Sequence, residues 1–157
     1  MTVDLDAYLE RVGYEGPVEP TLEVLDALHL AHATTIPFEN LDILLGRPIG
    51  LDLPSLQDKL VRDRRGGYCF EQNTLFAAAL EAVGFSVTRL GARVRFGARG
   101  VTARTHMVLL VRADTADVAA VKASKIFVAH AGTSCMQDPV VLRHVAFLPV
   151  ACGPGAR

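Results

Sequence analysis

The sequence predicts an α+β protein in which helices come first and strands follow. Through about residue 85, apolar residues recur at the spacing of amphipathic helices. Beyond Gly84 the pattern changes to alternating and continuous apolar runs, which are typical of strands. The chain has 157 residues, half of them hydrophobic, which is enough for one sizeable core. Helices followed by strands indicate a helical layer packed against an antiparallel sheet.

Three helices are expected before the sequence reaches Cys69. The first has apolar residues at helical spacing and ends at Gly13: Leu5, Tyr8, Leu9 and Val12. The second begins at Pro20 and Thr21, and must end before Pro37 because the residue ahead of a proline disfavours helix. Its apolar cover is Leu22, Leu25, Leu28 and Leu30. Ser55 is the expected N-cap of a short third helix through "LQDKLVRD".

The helix after Cys69 is predicted over 70–83, with Gly84 in the position that ends a helix. Strands are then predicted in "FSVTRLGARVRF", "THMVLLVRA", "KIFVAH" and "VVLRHVAFLPV". We therefore expect a helical bundle over 1–85 that carries the cysteine, and a partial β domain over 86–157. Residues 114–157 have no clean period, so their structure stays open.

Composition excludes several classes of function. The net charge of −1 gives no basis for binding nucleic acid or an anionic membrane. The amino terminus is acidic and lacks the apolar run of a secretory signal. The three cysteines, Cys69, Cys135 and Cys152, have no CxxC spacing, so we expect neither a disulfide framework nor a metal site. A cytoplasmic location is the expectation.

Cys69 has two interpretations. It follows Gly66 and Gly67 and precedes a helix, where backbone amides at the helix N-terminus favour a thiolate nucleophile. It also lies seven residues before Phe76, on the same helical face, as a small buried residue would.

A thiol nucleophile needs a base, and histidine is the usual one. Of the five histidines, His106 is the best candidate because it opens the apolar strand 106–111. His29 and His32 are expected to be surface or interhelix polar residues. His130 and His144 lie in the stretch without a clean period.

Four segments together resemble the arylamine N-acetyltransferases: "IPFENL" at 36–41, "RGGYCFEQN" at 65–73, "LEAVGF" at 80–85 and "THMVLLV" at 105–111. The resemblance covers about residues 5–112. It implies a helical bundle, an antiparallel β-barrel that is incomplete here, and a core like that of cysteine proteases and transglutaminases. It also implies a third α/β lid.

The same resemblance implies ping-pong acetyl transfer from acetyl-CoA to an arylamine, arylhydrazine or arylhydroxylamine. Cys69 matches the family nucleophile and His106 the family base. Phe38 resembles a residue that lines the arylamine pocket, with a core aromatic as the alternative. Glu39, Asn40 and Arg65 resemble a polar network that braces the cysteine loop. No metal is implied.

The sequence departs from the family after Ala113. The family aspartate, in a segment like "DVGFGG", has no counterpart, and Asp114 and Asp117 are the nearest carboxylates. We hypothesise that residues after about 114 arise from a frameshift or truncation. A partial barrel exposes strand edges, which favour self-association.

Two alternatives to the acetyltransferase stay open. One is a thiol hydrolase or transglutaminase-like protein that does not use CoA. The other is a catalytically dead remnant.

Overall fold

The computed structural model describes residues 2–93, 99, 101 and 103–112, and the backbone of 113, 117–122 and 127–131. Helices precede strands, so the α+β prediction is confirmed. The helices are α1 Leu5–Val12, α2 Leu22–Thr35, α3 Leu41–Leu44, α4 Leu53–Leu56, a π-helical turn Gln57–Arg62, and α5 Cys69–Val83. The strands are β1 Ser86–Ala92, β2 His106–Ala113, β3 Asp117–Lys122 and β4 Phe127–Ala131.

Local sequence signals set the ends of the main helices. The Asp4 side chain caps α1 and Gly13 ends it with a left-handed backbone, φ 71°. The Thr21 side chain caps α2, which ends at Thr35, two residues before Pro37. α5 ends at Gly84, φ 111°, as its position predicts. These boundaries confirm the sequence predictions for the three longest helices.

The segment between α2 and α5 differs from the prediction. The N-cap is Asp52, not Ser55: the Asp52 carboxylate accepts hydrogen bonds from the Ser55 backbone N–H at 3.0 Å and the Ser55 hydroxyl at 2.8 Å. Leu53 and Pro54 then form the first turn of the helix. A proline is tolerated there because a backbone N–H in the first turn has no acceptor within the helix. The continuation is not α-helical but the π-helical turn Gln57–Arg62. Leu30, expected to cover the core, is 57% exposed.

The four strands form one antiparallel sheet in the order β1-β2-β3-β4. In β1 and β2, Ala92 pairs with His106 and Ser86 with Arg112. β4 overlaps the predicted "KIFVAH" segment and ends one residue beyond it, whereas β3 was not predicted. The strand predicted in "VVLRHVAFLPV" lies outside the described residues.

The core forms where α5 crosses the other helices and one face of the sheet. Tyr8 of α1, Leu25 and Leu28 of α2, and Phe76 and Leu80 of α5 are almost completely buried. β2 adds every second residue to this core: Leu109 and Val111 are fully buried, and Met107 packs against them. Burial of this kind is worth about 1.5–3 kcal/mol for each large side chain. It fixes α5, and with it Cys69, against β2.

Candidate active site

Cys69 is the first residue of α5, directly after its N-cap Tyr68. Glu71 closes the capping box: its carboxylate accepts a hydrogen bond from the Tyr68 backbone N–H at 3.0 Å. The thiol is free of disulfide, and the residue is 6% exposed. The sulfur therefore lies at the positive end of a helix dipole.

The turn before Cys69 is closed against the "IPFENL" segment. Phe38 and Gly67 form an isolated parallel bridge, in which Glu39 N donates to Gly67 O at 3.1 Å and Gly67 N to Pro37 O at 3.2 Å. A side chain at Gly66 would overlap the Pro37 carbonyl oxygen. Both segments must therefore lie backbone against backbone, which explains the glycine.

Side-chain hydrogen bonds and ion pairs stabilise the bridge between Phe38 and Gly67. The Gln72 amide, fully buried, donates to Pro37 O at 3.0 Å and to Gly67 O at 2.8 Å. Arg65 forms ion pairs with Glu39 and, at 3.0 Å, with Asp42. These contacts tie the cysteine turn to α3 and to the segment before it.

His106 opens β2 beside the first turn of α5. The Cys69 Sγ lies 3.8 Å from the carbonyl oxygen of Thr105, the residue before His106. Asn73 donates to Cys69 O at 2.8 Å and to Met107 O at 3.2 Å, on the other side of His106. The backbone on both sides of His106 is thus held against the turn that carries the thiol.

The imidazole of His106 is half-buried, and its Nε2 atom is shielded from solvent. His106 is one residue out of phase with Met107 and Leu109, which pack against the helices. Its burial therefore comes from its place at the start of the strand and not from the core face of β2.

The other predicted site residues differ in their exposure. Phe38 is 52% exposed and its side chain is not part of the core. Asn40 is exposed and makes no side-chain capping bond at α3. Asp114 and the side chain of Asp117 lie outside what the structure describes.

Three residues that sequence reasoning missed belong to the same surroundings: Asp42, Lys59 and Glu71. Lys59 Nζ is 2.7 Å from both Asp42 Oδ2 and Glu71 Oε1. Hydrogen bonds from Lys59 and Arg65 lower the pKa of Asp42 to about 2. Glu71, three residues after Tyr68 as in a capping box, is the one with a sequence signal.

His29 and His32 are buried, so the surface alternative predicted for them was wrong. His32 is fully enclosed: its Nδ1 lies 2.9 Å from the Tyr8 hydroxyl, and its ring lies 4.9 Å from that of Phe76. Burial first, and then His29, lower the pKa of His32 to about 3, so the ring is neutral. The Gln72 side chain opposes this shift and raises the pKa of His32 by less than burial lowers it, so the net direction is downward.

No helix of the described part of the chain is long and apolar enough to cross a membrane. Within the same residues, no group of three or more His, Cys, Asp or Glu side chains is placed to hold a metal ion.

Comparison with known proteins gives one consistent result. Residues 21–118, more than half of the chain, match a family model described as N-acetyltransferase. The arylamine N-acetyltransferase of Escherichia coli K12 is 47% identical over 115 residues, which are 73% of this chain and 41% of that protein. The Mycobacterium tuberculosis H37Rv enzyme of the same name is 53% identical over 95 residues, which are 60% of this chain and 34% of that one.

Solved structures agree in fold. The Nocardia farcinica arylamine N-acetyltransferase superposes with a TM-score of 0.75 at 53% identity, over 78% of this chain and 43% of that one. The Mycobacterium marinum enzyme, solved in complex with CoA, gives 0.73 at 43% identity, over 77% and 46%. The chain therefore spans less than half the length of these relatives.

Proposed function

Since the chain belongs to the arylamine N-acetyltransferase family, we propose that it carries the acyl-accepting centre of a ping-pong acetyltransferase. The donor is acetyl-CoA and the acceptor is an arylamine, arylhydrazine or arylhydroxylamine. The observation that carries this proposal is the position of Cys69. The residue begins α5, and its Sγ lies 3.8 Å from the carbonyl oxygen of Thr105, the residue before His106. A relative of the same fold was solved with CoA bound, which supports the donor.

In the first half-reaction, the Cys69 thiolate attacks the thioester carbonyl of acetyl-CoA. The bond between the carbonyl carbon and the CoA sulfur breaks, and CoA leaves as a thiolate that takes the proton held on His106. Backbone N–H groups at the first turn of α5 favour negative charge on the sulfur before attack.

In the second half-reaction, the amine nitrogen attacks the acetyl-cysteine and passes a proton to the neutral His106 imidazole. The carbon–sulfur bond to Cys69 breaks and the thiolate returns. One difficult encounter between amine and thioester is thereby replaced by two steps, in which His106 gives a proton in the first and accepts one in the second.

The remaining predicted residues support these steps. Phe38, exposed beside the cysteine turn, would contact the aromatic ring of the acceptor. Arg65 and Glu39 brace the turn through their ion pair, and Asn40 lies at the N-cap position of the neighbouring α3. We further propose that 1–85 acts as the helical unit and that the strands from residue 86 begin a β-barrel. A protease-like core and a cytoplasmic location also stay proposals.

The experiment is to incubate the chain with acetyl-CoA and measure the mass of the peptide that contains Cys69. We expect a gain of one acetyl group on that peptide, none in Cys69→Ser, and a much slower gain in His106→Gln. Addition of an aromatic amine should then remove the acetyl group and yield the acetylated amine.

Failure at each stage has its own meaning. No acetyl gain on Cys69 in the folded chain would contradict the acetyl-accepting role and favour a dead remnant. Acetyl gain followed only by loss to water would indicate a hydrolase. Turnover of acyl substrates that lack CoA, without reaction with acetyl-CoA, would indicate a transglutaminase-like protein.

A further inference from the structure

Five charged side chains form a connected cluster beside the cysteine turn, and from the solvent side the exposed Arg47 pairs with its member Asp42 at 3.6 Å. We call them the ion-pair cluster, in the order of their contacts: Glu71, Lys59, Asp42, Arg65 and Glu39. The side chains at its centre are largely buried, with exposures of 2% for Glu71, 10% for Asp42 and 15% for Lys59. At such burial a charge is tolerated only if it is paired.

Glu71 is the member of this cluster nearest to the thiol in the chain. It lies two residues after Cys69, and its carboxylate is held by the Tyr68 N–H at 3.0 Å. A carboxylate there stabilises the helix end, but it opposes a second negative charge on the neighbouring sulfur. The same group that caps α5 therefore works against the thiolate unless its charge is balanced.

Lys59 supplies that balance within the described part of the chain. Its ammonium lies 2.7 Å from Glu71 Oε1 and 2.7 Å from Asp42 Oδ2. Its own burial would lower its pKa, but the hydrogen bonds to Asp42 and Glu71 outweigh this and raise it, so the side chain stays charged. The Lys59 backbone also accepts a hydrogen bond from Arg65 N at 3.0 Å, beside the cysteine turn.

The backbone around Lys59 is unusual. Lys59 lies on the π-helical turn Gln57–Arg62, a rare conformation that occurs often at functional sites. Arg11, buried on α1, donates to Leu60 O at 2.9 Å within this turn and to Arg64 O at 3.2 Å after it. The turn is thus held from outside, and it delivers Lys59 to the cluster.

We propose that Lys59 is a positioning residue for the acyl-accepting cysteine: it neutralises Glu71, so that the first turn of α5 keeps its capping carboxylate without suppressing the Cys69 thiolate. The inference rests on the proposed role of Cys69. It makes Lys59 act through Glu71 and not by contact with either substrate.

Other ionisable groups surround this turn and define the background of the effect. Those described are Tyr68 at the N-cap of α5, Asp42 on α3, Arg47 after α3, Glu39 and Arg65 in the flanking segments, and His106 on β2. None of these groups is altered in the variants below, so their contributions cancel when the variants are compared.

The test is the rate of Cys69 alkylation by iodoacetamide, followed by peptide mass from about pH 5 to about pH 10. Lys59→Met should lower the rate at neutral pH by about tenfold and move the profile to higher pH, as a unit charge nearby does at an effective dielectric near 20. Glu71→Gln should move it the opposite way. The double variant should return close to the wild type, because the amide oxygen introduced by Glu71→Gln still accepts from the Tyr68 N–H.

Arg62→Met is the matched control. Arg62 lies on the same π-helical turn, but it is 62% exposed and pairs with Asp58 instead of the cluster. Its loss should leave the profile unchanged. Lys59→Arg, which keeps the charge, should lie near the wild type.

A folded Lys59→Met variant with the wild-type profile would overturn the inference. The inference would also fail if Lys59→Met slowed alkylation at every pH without shifting the pH profile, and if adding Glu71→Gln did not restore the rate. That pattern would indicate that the substitution disorders the turn and does not change the charge near the thiol. If Lys59→Met does not fold, the Glu71→Gln variant is measured alone. A pH profile of Cys69 alkylation that moves to lower pH supports the inference, and an unchanged profile overturns it. Alkylation needs no CoA, so these results stand apart from the acetyl-transfer experiment.

Discussion

The two sides of the proposed reaction centre are held in different ways. On the cysteine side, Gln72 bonds to the turn that precedes α5, Glu71 to the helix cap, and Arg65 joins the turn to Glu39. A parallel backbone bridge closes the turn against the preceding segment. On the histidine side, the described contacts from α5 reach the backbone around His106 through Cys69 and Asn73.

The cysteine side is positioned mainly by residues that are close together in short motifs, whereas the histidine side is positioned by strand pairing between distant residues. The cysteine turn is built from two short motifs whose glycines, amide and carboxylates fit one another. The histidine side depends on the pairing of β2 with β1 and β3, which brings together residues far apart in the chain. The thiol side of the proposed centre is therefore the side that short sequence motifs specify more fully.

The largest effect is expected from closing the space at Gly66. In Gly66→Ala the new Cβ would overlap the Pro37 carbonyl oxygen, a backbone atom that cannot rotate away. We expect a loss of about 3 kcal/mol in the free energy of unfolding, measured by urea titration, and loss of selective Cys69 labelling.

Gly91→Ala is the control for that substitution. A Cβ at Gly91 would meet only the Arg104 side chain, at 3.4 Å. It should change stability by less than about 0.5 kcal/mol. Equal stability of the two variants would show that the cysteine turn does not need the close approach.

The connection between the two sides is tested by Asn73→Ala. The Asn73 amide, fully buried, bonds to Cys69 O on one side and to Met107 O on the other. Its removal should cost about 2 kcal/mol in urea unfolding, because a buried carbonyl loses its donor. Asn40→Ala, at an exposed asparagine without a capping bond, should cost less than about 0.5 kcal/mol. A harmless Asn73→Ala would show that this amide does not link the two sides.

The buried His32 of α2 predicts that the free energy of unfolding depends on pH. His32 has a pKa of about 3 in the folded chain against 6.5 as its ordinary value, so the unfolded chain binds the extra proton between these values. Stability should fall by about 2 kcal/mol from about pH 7 to about pH 5 because of this residue. His32→Gln should flatten the slope in urea titrations at each pH. Asp42, with a pKa of about 2, contributes a loss only under more acidic conditions.

Phe38→Ala is expected to change stability as little as the two control substitutions do. Since this ring is 52% exposed, its removal should change the free energy of unfolding by less than about 0.5 kcal/mol. The KM for the aromatic amine should rise about tenfold if the ring contacts the acceptor. A loss of about 3 kcal/mol or more would instead identify a core aromatic.

Much of the helical part was predictable because its signals are local. Gly13, Gly84 and the periodic apolar residues of α5 fix helix ends and a buried face without reference to distant residues. The Gly-Gly turn before Cys69 belongs to the same class, since its backbone needs are visible in the sequence.

What was missed depends on partners far along the chain. Lys59 enters the site because a π-helical turn replaces an α-helix, and no spacing of apolar residues announces that change. His32 is buried because Tyr8, 24 positions away, offers its hydroxyl. β3 is a strand because β2 pairs with it, although "DVAAVK" has no strand period of its own.

The family aspartate expected to pair with the His106 imidazole is a prediction about the coding DNA. The family match ends at residue 118, close to where the resemblance in the sequence is lost. The frameshift hypothesis predicts that the coding DNA, read one base out of phase after about residue 114, contains a "DVGFGG"-like segment. A reading without such a segment would reject it.

The central claim is that the Cys69 sulfur and the His106 imidazole act as one reactive pair, and selective alkylation tests it most directly. With iodoacetamide at neutral pH, we expect Cys69 to react ahead of Cys135 and Cys152, and His106→Gln to abolish that preference while the chain stays folded. Labelling of Cys69 at the rate of an ordinary thiol, or unchanged labelling in His106→Gln, would contradict the account.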